Sequence, residues 1–212
     1  MPRYSLYTNP FSSHTKVVNI IGRGKKVLEI GCSTGYVSKR LKENNCIVSG
    51  IEIDAGAAEK AKNYCDHVLL ADIETTNQFP YKLNNFDVIL FGDVLEHIRY
   101  PSEVLIKFKK FLKKDGFIVV SIPNIAYWSI RLKLLLGEFE YTDHGILDST
   151  HVKFFNYKTA KRLMKDSGLR IIRTDFIPPV FPVNITKLTY LFSKIFPNLF
   201  AFQFIFVAVI ED

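Results

Sequence analysis

Val27-Leu28-Glu29-Ile30-Gly31-Cys32-Ser33-Thr34-Gly35-Tyr36, with Gly50-Ile51-Glu52-Ile53-Asp54 further on, carries the most structural information in this chain. Val27, Leu28 and Ile30 form a short apolar run of the kind a buried strand needs. Gly31 to Gly35 is a turn of small residues. Val37 to Lys42 has helical character, and Cys46 to Ile53 is a second strand with Glu52 near its end. A strand, glycine turn, helix and strand tipped by a carboxylate build a nucleotide crevice at the carboxyl ends of parallel strands. A dinucleotide fingerprint would read Gly-x-Gly-x-x-Gly. Counted from Gly31, its other two places hold Ser33 and Tyr36, so it fails twice. The third glycine would let helix and strand pack closely, and a tyrosine there argues against a bound pyrophosphate.

The pattern that does stand here, Glu-x-Gly-x-x-x-Gly, resembles the first motif of class I S-adenosylmethionine-dependent methyltransferases. The match falls on Glu29, Gly31, Gly35 and Glu52, with Ser33 where that family often has a middle glycine. The resemblance implies a loop (Gly31, Cys32, Ser33, Gly35, Tyr36) wrapped around the cofactor's methionine part, with Glu29 near its amino group. It implies Glu52 on the ribose with Ile53 beside it, and Asp72 and Ile73 at the adenine. The stretch Phe86 to His97 looks like the fourth strand of these enzymes and its following loop, which implies Asp93 and Val94 beside the methionine moiety. A carboxylate suits a ribose because its two oxygens can accept from two adjacent hydroxyls.

Composition sets bounds. With 212 residues, 48% of them hydrophobic, the chain is long enough for one domain with a sizeable core. The formal net charge of +7 permits an acidic partner without demonstrating one. Cys32, Cys46 and Cys65 follow no metal spacing and read as free thiols of a reducing, cytoplasmic compartment. The N-terminus lacks a signal peptide's apolar stretch. Residues 188–210 are apolar and aromatic, but Lys194, Pro197, Asn198 and Gln203 interrupt them, so no transmembrane helix is expected.

Taken in order, residues 1–12 read as irregular, and Ser13 to Ile21 as a short helix over the pocket mouth. Helix is expected over Ala55 to Tyr64, strand over His67 to Ala71, and strand over Phe86 to Phe91, apolar enough to be central. Ser102 to Lys114 reads as a helix with a serine N-cap, and Gly116 to Ile122 as the fifth strand. Ala126 to Leu136 is helical. Asn156 caps a helix over Lys158 to Ser167, Leu169 to Ile177 is a sixth strand, Pro178 to Asn198 an aromatic connection with some helix, and Phe202 to Ile210 the last strand. Alternating strands and helices imply a doubly wound α/β domain. With the resemblance, the expectation is one Rossmann-like domain over 1–212, a seven-stranded mostly parallel sheet with an antiparallel edge pair and helices on both faces. Residues 1–24 would form an N-terminal cover and 123–157 an acceptor-side insertion.

For chemistry beyond the cofactor, His151 and His97 are the catalytic candidates. An imidazole titrates near neutral pH and can take a proton from an acceptor. Gly145 to Phe155 resembles a segment of methyltransferases encoded beside glycosyltransferases and, more loosely, of quinone-pathway O-methyltransferases. Asp93, Glu96, His97 and His151 also resemble the metal site of small-RNA ribose methyltransferases, with Asp93 in place of a glutamate. A divalent metal is one reading, and loop buttressing by Glu96 and His97 is the other. His144 has only proximity in its favour. The lysines at 107, 109, 110, 113 and 114 read as a solvated helix face over a buried stripe of Val104, Leu105, Phe108, Phe111 and Leu112, which makes nucleic acid an unlikely partner. Tyr127, Trp128, Phe139 and Tyr141 read as pocket lining or core. The function implied is methyl transfer from S-adenosylmethionine, leaving S-adenosylhomocysteine, to a hydroxyl of a small-molecule or sugar-derived acceptor. The competing readings are a nitrogen or carbon acceptor, a degenerate cofactor- or partner-binding domain, and an NAD-dependent reductase.

Overall fold

A computed structural model describes residues 10–179 and 183–211; the expectations for residues 1–9 and 180–182 lie outside the described residues. The elements in order are α1 (Ser13–Ile21), β1 (Lys26–Ile30), α2 (Tyr36–Glu43), β2 (Ile47–Glu52), α3 (Ala55–Ala61), β3 (His67–Leu70) and β4 (Phe86–Gly92). They continue with a 3-10 turn (Leu95–His97), α4 (Pro101–Lys109), β5 (Leu112–Pro123), α5 (Trp128–Leu135), α6 (Tyr157–Asp166), β6 (Leu169–Ile177), α7 (Val183–Ile195), α8 (Pro197–Phe200) and β7 (Gln203–Ile210).

The strands form one sheet in the order β3-β2-β1-β4-β5-β7-β6. Those from β3 to β5 are parallel, while β7 runs antiparallel to both β5 and β6. Its central strand, β4, is flanked by β1 and β5, as its apolar run Val88 to Phe91 requires. Successive strand residues point to opposite faces, which divides the core in two. Leu28, Ile30, Ile51, Ile89 and Phe91 pack with Phe108 of α4 and Met164 of α6 on one face. Val27, Val48, Val88 and Leu90 pack with Val17 of α1 and Leu41 of α2 on the other. Asn156 and Thr159 form a reciprocal capping box at the start of α6, a device whose loss costs about 1 kcal/mol.

The α4–β5 boundary differs from the sequence expectation. The α4 helix begins with Pro101 at its first turn, and Ser102 bonds Ser167 Oγ at 3.0 Å instead of capping. It stops at Lys109, because the Phe111 carbonyl accepts the backbone N–H groups of Asn85 and Phe86, and Leu112 already pairs with Phe86. Lys113 and Lys114 therefore lie in β5. Nor are the lysines simply solvated. Lys107 Nζ donates to the carbonyls of Ile73, Glu74 and Thr76, Lys109 Nζ to that of Ser167, and Lys113 Nζ to Asp87 at 2.7 Å. Cations spent on their own fold leave less for a nucleic acid.

Candidate functional site

The candidate site lies at the carboxyl ends of β1, β2 and β4, where the sequence-predicted residues gather. As β1 ends, Gly31 turns at φ 67° and its N–H, with that of Cys32, donates to Ile51 O on β2. Only glycine fits there, since a Cβ would stand 2.7 Å from Val94 Cγ2 in the loop after β4. Gly35, at φ 79°, is the N-cap of α2, and a Cβ on it would come within 3.1 Å of the Ala61 backbone. The loop is thereby drawn tightly between β2, α3 and the β4 loop. Ser33 adopts φ 49° without being glycine, which a short polar side chain tolerates best. The Cys32 thiol is fully buried against Gly50, so at a ligand Cys32 offers backbone only. Tyr36 meets the His14 ring edge-on at 4.7 Å, which sets the start of α1 over the loop.

Glu52 at the tip of β2 organises this loop. Its Oε2 accepts from Ser33 N–H at 2.7 Å and its Oε1 from the N–H groups of Ile53 and Asp54, both at 2.9 Å. The Ile53 side chain is exposed beside it. Glu29 lies deeper, between β1 and α2, where the Ser38 hydroxyl donates to it. Burial pushes its carboxyl up to about 8, outweighing that hydrogen bond. Asp72 turns back on its own loop, accepting from Glu74 N–H and the Thr75 hydroxyl, which holds its carboxyl below the usual range despite some burial. Ile73 is buried in the main core. Asp93 stands at φ 56° after β4; its carboxylate accepts from Ser121 Oγ at 2.7 Å and from the Gln203 amide.

Beyond Asp93, the 3-10 turn and the 146–153 loop bring Glu96, His97 and His151 together, with one ligand atom of each within 4.8 Å of the others. The His151 ring meets that of His97 edge-on at 4.7 Å. On one side His151 Nδ1 lies 3.1 Å from the Ile146 carbonyl, and on the other its Nε2 lies 4.0 Å from Glu96 Oε1. His97 Nδ1 lies 3.2 Å from Thr150 O and 3.1 Å from Thr150 Oγ1, whose own proton goes to Asp148. Each Nδ1 therefore donates to a carbonyl, and each Nε2 is the ring atom turned away from these partners. Glu96 is 1% exposed, its Oε2 has no partner among the described residues, and burial, then the Asp93 charge, pushes its carboxyl well above the usual range. Burial also lowers the pKa of His151. The Glu96 backbone carbonyl meanwhile accepts from the N–H groups of Val152 and Lys153, so Glu96 buttresses the loop as well. His144 is exposed and outside this cluster. Tyr127 is buried with Ile130, Ile146 and Leu147, whereas Trp128, Phe139 and Tyr141 are exposed.

Sequence reasoning missed Ser38 and His14 and did not single out Gln203. That last residue gave a signal, as the one polar side chain in the apolar run 202–210.

Residues 8–174 match the family described as a methyltransferase domain. The ubiquinone biosynthesis O-methyltransferase of Haemophilus ducreyi is 30% identical over 124 residues, covering 55% of this chain and 52% of that protein. The Coxiella burnetii enzyme of the same name is 25% identical over 158 residues, 71% of this chain and 65% of that one. The chain thus spans about half the length of the first of these curated relatives. Among solved structures, a SAM-dependent methyltransferase from Archaeoglobus fulgidus superposes with TM-score 0.62 at 18% identity, over 93% of this chain and 94% of that one. A Thermotoga maritima SAM-dependent methyltransferase gives TM-score 0.64 at 18% identity, over 94% and 88%. These two share the fold. The chain belongs to the methyltransferase-domain family and has the fold of the class I methyltransferases.

Proposed function

We propose that this chain transfers the methyl group of S-adenosylmethionine to a hydroxyl of a small-molecule or sugar-derived acceptor. The cofactor, when bound, supplies an activated methyl, so the protein's part is to bind, orient, exclude water and manage a proton. Gly31 to Gly35 would hold the methionine part with Glu29 behind it, Glu52 the ribose hydroxyls, and Ile53, Asp72 and Ile73 the adenine. Asp93, fixed by Ser121 and Gln203, would line the methyl side with Val94. The chain would work in the cytoplasm, a reading supported by three free, buried thiols.

The hydroxyl acceptor rests on one observation, the Glu96–His97–His151 cluster beside Asp93. A hydroxyl must lose its proton to accept a methyl, and two imidazoles can take it. The same donor set, one carboxyl group and two imidazoles, also suits a divalent cation, which would lower the acceptor's pKa. The orphaned Glu96 Oε2 and the carbonyl-anchored Nδ1 atoms favour that version. The O-methyltransferase names of the relatives support a hydroxyl acceptor.

The test is transfer of labelled methyl to a catechol, with the product bond read by mass spectrometry. His151→Ala should leave cofactor affinity within about twofold and lower turnover ~100-fold. Chelator should abolish wild-type activity, with Mn²⁺ or Mg²⁺ restoring it, if the cluster holds a metal; indifference to chelator assigns His151 as the base. Full turnover in His151→Ala would overturn both versions.

A further inference from the structure

The α7 helix is inside out. Its buried face carries Thr186 and Ser193, and Tyr190 reaches Asp175 at 2.8 Å, where Lys16 also bonds. Its exposed apolar residues are Ile185, Leu188, Leu191, Phe192 and Ile195. At about 100° per residue these five fill a continuous arc of roughly 120°. Lys187 and Lys194 lie on the polar border of that arc, both exposed. A soluble helix normally buries its apolar stripe and shows its hydroxyls to water.

A second exposed apolar element is tied to α8, the short helix that follows α7. Asn124, just before α5, donates to the carbonyls of Pro197, Asn198 and Ala201 around α8, which follows α7. On α5 and the residue after it, Leu132, Leu134, Leu135 and Leu136 are all exposed, with Leu135 at 83%, and Arg131 and Lys133 are exposed among them. Residues 125–137 and 176–210 contain no aspartate or glutamate. Along these two segments every charged side chain is therefore a cation, and Glu138 and Glu140 are the first acids after α5.

We infer that the α5 and α7 faces dock this chain on an anionic lipid surface. Apolar side chains flanked by lysines, with no carboxylate between them, match the boundary between acyl chains and anionic headgroups. A second copy of the chain fits worse, because it would bring cations against cations. Spanning is not the mode: α7 has 13 residues, about 20 Å, and no helix among the described residues is long and apolar enough to cross a membrane. Gln203, which bonds Asp93, follows α8 closely in the chain and pairs with Pro123 just before α5. A lipid-borne acceptor would meet the site there, a consequence that rests on the methyl-transfer reading; the docking does not.

The experiment is co-sedimentation of the whole protein with phosphatidylcholine vesicles, with and without about one-third phosphatidylglycerol. Binding should require the anionic lipid and weaken as salt is raised. Lys187→Ala and Lys194→Ala should each weaken it about fivefold. A Leu188→Ser/Leu191→Ser/Leu135→Ser variant should abolish it with an unchanged circular dichroism spectrum, since all three side chains are exposed. Absence of binding to anionic vesicles would overturn the proposal. So would a concentration-dependent dimer, seen by ultracentrifugation, that the triple variant dissociates.

Discussion

Glu52→Gln keeps the size of the side chain and removes its charge. In the structure the carboxylate accepts three backbone N–H groups, from Ser33 on one oxygen and from Ile53 and Asp54 on the other. A glutamine can satisfy the second pair with its carbonyl oxygen, but then turns an NH₂ towards the Ser33 N–H, where two donors face each other. Losing one charge-assisted hydrogen bond costs roughly 1.5–3 kcal/mol. In the free protein that loss loosens the 31–35 loop, and at about 2–4 °C per kcal/mol for a chain of this size the melting temperature should fall by several degrees. With cofactor present, the ribose hydroxyls lose a charged acceptor as well, and affinity for S-adenosylhomocysteine should fall roughly 10- to 100-fold. Calorimetry gives the dissociation constant and a thermal melt gives the loop contribution. A lowered melting temperature with an unchanged dissociation constant would refute the ribose assignment, and Glu52 would then only pin the loop.

Glu29→Gln should remove a pH dependence of stability. The Glu29 carboxyl is raised from 4.5 to about 8 in the fold, so the native state holds a proton that the unfolded chain gives up. Stability from this group is full below pH 4.5 and is lost as pH rises towards 8, by on the order of 4 kcal/mol. The glutamine variant, still able to accept from Ser38, should therefore gain stability over wild type at pH 8 and little at pH 4; urea melts across that range check it. Gly31→Ala meets both φ 67° and Val94 at 2.7 Å and should lose at least about 1–3 kcal/mol along with cofactor affinity. Gly137→Ala, at φ 79° with nothing within 4 Å, should lose about 1–2 kcal/mol and no affinity; equal binding by both variants would contradict the packing of the glycine loop.

What was legible in the sequence followed from local chemistry. The apolar run in β4, the Gly31 and Gly35 turn and the Asn156 cap each have one satisfactory structural solution, and the structure adopts it. The α4–β5 junction was not legible because Phe111 and Leu112 continue a helical apolar stripe. Only the long-range pairing of Leu112 with Phe86 turns that stripe into a strand. Over α7 the sequence predicts only an aromatic connection with some helix, since a hydrophobic period locates a face but not the side on which the protein lies. At the site, the spacing indicated Glu52 as a strand tip, and its three N–H partners depend on how the 31–35 loop and the 53–54 turn close around it. Glu96 and His151 are separated by 55 positions, so their approach depends on the 146–153 loop returning to the Glu96 carbonyl through Val152 and Lys153.

The most direct test is titration of the purified chain with S-adenosylhomocysteine and, separately, with NADH, followed by calorimetry and thermal melting. Micromolar binding of S-adenosylhomocysteine with a raised melting temperature, and no response to NADH, is the predicted result, because a ligand that binds only the native state stabilises it. Binding of NADH with no response to S-adenosylhomocysteine would contradict it.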